Sequence, residues 1–223
     1  MFTTGSELRQ PGENIQPGEI SDANRFILLS LLAKPWIEIV DLGCIADRPS
    51  RLRSVFQSAA ARADVIISAG GISVGDEDHV VDSFERCGGR LWIRKVAIKP
   101  GKPLVLGKMA DATYVGLPGN PGALFTTFKV IVDQILGVCA GIRAASDSQR
   151  AAIANFDWKG RPGRTTYLPA ILAGEAQGLP LVGLLPDVNS GKLHQLSRAR
   201  GFAVISAETA AVKRGDRICW LQV

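Results

Sequence analysis

Between residue 20 and about residue 143, short β-branched runs alternate with amphipathic helices, the pattern of a parallel sheet covered on both faces. Ser21 is placed to cap a helix whose stripe is Ala23, Ile27, Leu28, Leu31 and Leu32, with Pro35 closing it. Residues 37–42 read as a strand. A second helix starts near Pro49 and buries Leu52, Val55, Phe56, Ala59 and Ala63 at helical spacing. Strand 65–68 follows, then a helix over 78–87 with Val80, Val81, Phe84 and Cys87 on one side. Strands 91–98, 104–106 and 114–117 come next, and a last helix over 121–136 carries Leu124, Phe128, Ile131 and Ile135.

Beyond Gly141 a polar run over 146–150 gives way to short strand-like segments broken by glycine and proline. Segments 165–172, 180–185, 203–206 and 217–223 predict a small β-barrel or sandwich. The chain therefore reads as an α/β domain over 1–143 and an all-β domain over 150–223. At the N-terminus, Thr3-Thr4-Gly5-Ser6-Glu7-Leu8 is a loop-like phrase of the kind that follows a buried strand, yet no strand is expected before it. The first strand reads as missing and the chain as truncated.

Hydrophobic residues make up 46% and charged residues 21%, the balance of a globular protein. No apolar run reaches membrane-spanning length and no cleavable leader is legible, so a cytoplasmic protein without membrane contact is expected. The four cysteines, Cys44, Cys87, Cys139 and Cys219, are widely spaced with only two histidines to help them, so each reads as a small buried apolar residue. The net charge of +5 suits an anionic partner. Nucleic acid is disfavoured, because the basic residues are scattered and lack interleaved aromatics.

Three glycine-rich phrases fall where the alternation puts strand ends. They are Ser68-Ala69-Gly70-Gly71-Ile72-Ser73-Val74-Gly75-Asp76, Lys99-Pro100-Gly101-Lys102-Pro103 and Leu117-Pro118-Gly119-Asn120-Pro121-Gly122. In an open α/β sheet such ends meet at a ligand crevice, and bare glycine N–H groups ahead of a helix favour anions. A single phrase of this kind is more often a tight turn; three in one crevice are not. Asp76 and Asp78, with Glu7 as a candidate third, could hold a hard divalent ion such as magnesium beside a phosphate, although a helix cap explains one aspartate equally well. Lys99 and Lys102 flank a Pro-Gly turn and could grip an oxyanion together.

The phrases TTGSEL, GEISDANR, DVIISAGGISVGDEDHV, VAIKPGKPL and GLPGNPGAL, in this order, resemble the signature set of the MoeA family, including the gephyrin and plant E domains. The resemblance implies a MoaB/Mog-like three-layer domain followed by a small β-domain. It also implies an enzyme of molybdenum cofactor biosynthesis, a molybdopterin molybdenumtransferase that inserts molybdate into adenylylated molybdopterin and releases AMP with a divalent cation, Mg²⁺, assisting. Carried over, Glu7, Asp76 and Asp78 would handle the cation and phosphoanhydride. Lys99, Lys102, Arg164 and Ser190 would hold molybdate. Gly70, Gly71, Ser73, Gly75, Pro118, Gly119, Asn120 and Pro121 would shape the pterin phosphate pocket. Three positions depart from the pattern: Ser6 replaces an acid, Ala123 a serine and Pro169 an arginine. The resemblance further implies a homodimer in full-length members, with two more domains that a separately encoded N-terminal piece could supply. The alternatives are an inactive molybdopterin-binding fragment or a MogA-like adenylyltransferase, the latter leaving the β-domain unexplained.

Overall fold

The computed structural model describes residues 1–72, 79–142, 149–186 and 193–223. It divides into two units, Met1–Val96 with Pro103–Ile142, and Ala97–Lys102 with Arg143–Val223.

In the first unit the chain runs β1 (Phe2–Thr4), β2 (Leu8–Arg9), β3 (Ile20–Ser21), α1 (Ala23–Leu32), β4 (Cys44–Ile45), α2 (Pro49–Ala60), β5 (Val65–Ala69), α3 (His79–Arg86) and β6 (Arg90–Lys95). After β7 (Ile98–Lys99), which belongs to the other unit, come β8 (Pro103–Met109) and β9 (Ala112–Leu117). A helix over Pro121–Cys139 completes the unit, as α4 (Pro121–Thr127), a π-helical stretch (Phe128–Val132) and α5 (Asp133–Cys139).

The six-stranded sheet has the order β4-β1-β5-β9-β8-β6. Its first four strands are parallel, while β8 runs antiparallel to both β9 and β6. The α/β class stands, with one reversed strand in the sheet. The expected missing strand is corrected: Phe2–Thr4 is itself a strand, and its three residues suffice because β4 and β5 pair with it on both edges. The strand expected over 37–42 is corrected too. Thr3 and Thr4 pair with Cys44 and Ile45, so the paired strand lies further along, and 37–42 is irregular apart from bonds such as Leu42 N–H to the Met1 carbonyl.

Side chains alternate across the sheet with the period of two that a pleat dictates. Ile67, Ala69, Val115 and Leu117 face one core, into which α1 sends Leu28 and Leu32 and the 19-residue helix sends Leu124, Phe128, Val132 and Leu136 at four-residue spacing. That helix is long and apolar enough to cross a membrane by length and composition, but the same stripe is packed against the sheet. Ile66, Ala112 and Tyr114 face the other core, with Leu52 and Phe56 of α2 and Val80, Val81 and Phe84 of α3. Its centre is aromatic: Phe56 meets Phe2, Phe84 and Tyr114 edge-on at 5.6, 5.3 and 5.2 Å between ring centroids. The Tyr114 hydroxyl lies 2.8 Å from Ser68 Oγ, so its polar end is paired inside the core.

The cap of α1 is Asp22, not Ser21. Its carboxylate accepts from the Arg25 N–H and from the Thr3 hydroxyl, tying the start of the helix to β1. Arg25 reaches on to Asp41. Desolvation pushes the Asp41 carboxyl up, but the Arg25 guanidinium and the Gly43 N–H outweigh it and hold the group below its usual range. A folded pKa below the unfolded one means that the pair adds stability above the ordinary carboxylate range and loses it as the pH falls through the lowered value. Asp41→Asn should therefore flatten the acid limb of the stability curve, as read by urea midpoints across that range.

The second unit contains β10 (Gln149–Ala154), β11 (Trp158–Lys159), β12 (Thr165–Ala176), β13 (Leu179–Leu184), α6 (Leu193–Ser197), β14 (Gly201–Ile205), β15 (Ala211–Val212) and β16 (Arg217–Gln222). The order β13-β10-β16-β14-β12, closed by β12 pairing with β13, makes a small barrel, which settles the open choice between barrel and sandwich. Small inward residues, Ala152, Ala154, Ala170 and Ala203, leave room for Trp220, the one large aromatic of its strand. Residues 91–98 are not one strand: β6 ends at Lys95, and Ile98–Lys99 pairs with Thr165–Thr166 of β12. The cysteines are corrected as well. All four are free, with Cys44 and Cys87 half-buried and Cys139 and Cys219 exposed.

Candidate functional site

In the first unit, the carboxyl ends of β1, β4, β5 and β9 and the amino end of the reversed β8 open into one cleft of about 410 Å³. Thr4, Gly5 and Glu7 come from the end of β1, Asp47 from the end of β4, Gly70, Gly71 and Ile72 from β5, Pro103 from β8, and Pro118, Gly119, Asn120 and Pro121 from β9. Ser21, Ala23 and Asn24 add the start of α1.

The turns are held close. Gly70 N–H donates to the Leu117 carbonyl at 3.1 Å, and a Cβ on Gly119 would lie 3.6 Å from Gly70 Cα. Gly70 and Gly71 both take positive φ, +93° and +64°, in the left-handed region open to glycine. At the third turn Asn120 accepts from Ala123 N–H through its side chain and so caps the helix that follows, with Pro121 in the first turn. Two helix N-termini therefore abut the cleft, one of a 10-residue and one of a 19-residue helix, and such ends favour negative charge. Among the described residues, two buried side chains at the cleft have a polar atom without a hydrogen-bond partner: Thr4, 1% exposed, through Oγ1, and Asn24, 6% exposed, through Oδ1.

A second cavity of about 460 Å³ lies at the opposite ends of the same strands, lined by Met1, Ile37, Ile39, Val65 and Leu136 among others. It has none of the glycine turns. The smaller cleft is the one with the chemistry of a ligand site.

Of the residues singled out from the sequence, Glu7, Gly70, Gly71, Pro118, Gly119, Asn120 and Pro121 all line this cleft. Glu7 is exposed, with its carboxylate folded back over Gly5. Ser73, Gly75, Asp76, Asp78 and Ser190 lie outside the described residues. Among the described residues, no group of three His, Cys, Asp or Glu side chains gathers as a metal cluster. Lys99 and Lys102 belong to the second unit, and the glycine turns Gly70–Gly71 and Pro118–Pro121 to the first. Lys99 is in β7 beside Thr166, and Arg164 directly precedes Thr165, so the structure brings Lys99 and Arg164 onto adjacent strand ends. The Lys99–Pro100 peptide is cis. Thr4, Asn24 and Asp47 were missed. Thr4 and Asn24 sit inside the quoted phrases TTGSEL and GEISDANR, but a threonine in a strand end and an asparagine in a helix's first turn carry no signal of their own.

Residues 1–137 match the family model of the probable molybdopterin binding domain. The chain belongs to that family. Residues 151–223 match the MoeA C-terminal region (domain IV), and the two domains in succession make this a MoeA-type chain. It is 32% identical over 220 residues to a molybdopterin molybdenumtransferase of Haemophilus influenzae, covering 98% of this chain and 54% of that protein. To the molybdopterin molybdenumtransferase of a Nostoc species it is 30% identical over 234 residues, covering 100% and 52%. The crystal structure of a molybdopterin biosynthesis MoeA protein from Pyrococcus horikosii superposes with a TM-score of 0.80 at 25% identity, covering 99% of this chain and 53% of that one. The MoeA-type chain thus spans about half the length of these relatives.

Proposed function

We propose that the cleft binds the phosphate portion of adenylylated molybdopterin and that the chain takes part in inserting molybdate, with release of AMP. One observation carries the reading: four parallel strand ends and two helix N-termini surround a single cleft in which the buried Thr4 Oγ1 and Asn24 Oδ1 have no hydrogen-bond partner among the described residues. Gly71, Gly119 and Asn120 carry backbone N–H groups for phosphate oxygens, Gly70 permits close approach of the ligand and Pro118 and Pro121 stiffen the third turn, with Ser73 and Gly75 as further candidates. Relatives named molybdopterin molybdenumtransferase support the choice of substrate class.

A divalent cation such as magnesium belongs to the same proposal. The carboxylates of Glu7 and Asp47 at the cleft supply the oxygen donors that magnesium takes together with phosphate oxygens, and Asp76 and Asp78 are the further candidates. Bound there, the ion would offset charge on the phosphoanhydride as AMP leaves. Lys99, Lys102, Arg164 and Ser190 are assigned to molybdate, two lysines and an arginine being suited to a doubly charged oxyanion. Homodimerisation, or pairing with a separate chain that supplies further domains, and a cytoplasmic setting are part of this proposal.

The test is AMP release from adenylylated molybdopterin with molybdate and Mg²⁺ present. Release supports the transferase; binding without release supports a molybdopterin-binding module instead; and no binding sinks the site. In the active case, replacing Lys99 and Lys102 together by alanine should raise the molybdate concentration for half-maximal rate by about 10–100-fold, from the loss of two charged contacts. Affinity for the adenylylated pterin should stay the same, and an equal fall in both would overturn the division of roles.

A further inference from the structure

We infer that Asn24 selects the ligand: its side-chain oxygen reads an N–H or O–H donor on a nucleoside phosphate while its nitrogen pins the turn that holds the phosphate. This rests on the reading of the cleft as a phosphate site. Asn24 occupies the first turn of α1, is 6% exposed and lines the cleft. Its Nδ2 donates to the Gly119 carbonyl at 2.7 Å, a bond across 95 positions of the chain that couples α1 to the turn after β9. An accepting carbonyl at that distance fixes which end of the amide points there, so the other end is the oxygen. That oxygen is buried and has no hydrogen-bond partner among the described residues.

A buried acceptor without a partner is rare and unfavourable, so such an atom beside a ligand cleft calls for a ligand group. An amide oxygen can only accept. A phosphate or pyrophosphate at neutral pH offers chiefly acceptors, which suit the Gly71 and Gly119 N–H groups, the helix ends and the buried Thr4 hydroxyl, which also has no partner among the described residues. Phosphate alone therefore leaves Asn24 Oδ1 unanswered. A ligand that carries a sugar hydroxyl or a ring amine a short reach from its phosphate satisfies both kinds of group at once. The inferred preference is thus for a nucleoside phosphate over an inorganic one.

The experiment titrates the full chain and its Asn24→Ala variant with AMP and with pyrophosphate by calorimetry. The expected result is a loss of about tenfold in AMP affinity with pyrophosphate affinity changed less than about twofold. Equal losses for both ligands would mean that Asn24 only shapes the turn, and an unchanged AMP affinity would mean that it reads nothing; either overturns the inference and leaves the cleft's reading intact. Wild-type protein that binds neither ligand overturns both. Ribose 5-phosphate separates the two donor sources, since a loss that persists with it assigns the contact to a sugar hydroxyl and a loss confined to AMP assigns it to the base. If the alanine variant loses its far-UV signal, Asn24→Asp decides, because it keeps the accepting oxygen and loses the Gly119 bond. An AMP-to-pyrophosphate affinity ratio within about twofold of wild type then supports the inference, and a ratio lowered about tenfold overturns it.

Discussion

Phe56→Ala lowers the stability of the first unit by about 3–5 kcal/mol, the range for removing a fully buried aromatic ring. The size of the effect follows from position. Phe56 is fully buried and touches Phe2 of β1, Phe84 of α3 and Tyr114 of β9, so one side chain joins two strands and two helices. Truncation leaves a void that Phe84 and Tyr114 can fill only in part, since they are already stacked on each other at 4.3 Å. Hydrogen exchange of the β5 and β9 amides in a urea series is the measurement, and protection should fall in both strands together. Phe56→Leu retains most of the volume and should cost less than half as much; equal costs would show that the ring contacts are not what holds this core.

Gly70→Ala is the second large effect, and it strikes the cleft as well as the fold. The residue takes φ +93°, and an added Cβ would come within 2.2 Å of the Thr4 carbonyl oxygen, which is backbone and cannot swing away. The left-handed penalty and the overpacking together amount to about 2–5 kcal/mol. Because the turn must shift, pyrophosphate affinity should also fall by more than about tenfold. Gly119→Ala is the contrast: its Cβ would meet Gly70 Cα at an ordinary 3.6 Å, so stability should change by less than about 1 kcal/mol. If the two substitutions cost the same in a urea titration, the close approach of β1 and β5 is not what requires glycine at position 70.

What could be read in advance follows from which signals are local. Helical periodicity marked α1, α2 and the helix from Pro121 because each must bury a stripe regardless of its neighbours. The glycine turns marked strand ends because left-handed backbone and close approach require particular residues. The fate of residues 96–99 was illegible: Val96 and Ile98 look like the continuation of β6, and only the partner strand β12 decides that Ile98–Lys99 pair elsewhere. The strand Gln149–Ala154 escaped notice because alanine lacks the β-branched signal, although in a narrow barrel small inward residues are what the geometry needs. Asn24 was invisible for the opposite reason. Its importance lies in a bond to Gly119, and no pattern within α1 announces a contact 95 residues away.

The excursion of Ala97–Lys102 governs how this polypeptide can be taken apart. The backbone passes from one unit to the other after Val96, returns at Pro103 and leaves again after Ile142, so no single cut yields both pieces whole. A fragment ending at residue 142 would keep β7 with Thr165 and Thr166 gone, exposing unpaired strand edge. A fragment starting after that point would give a barrel deprived of its outermost strand. Any graft of the barrel onto another scaffold must therefore transplant this hexapeptide too.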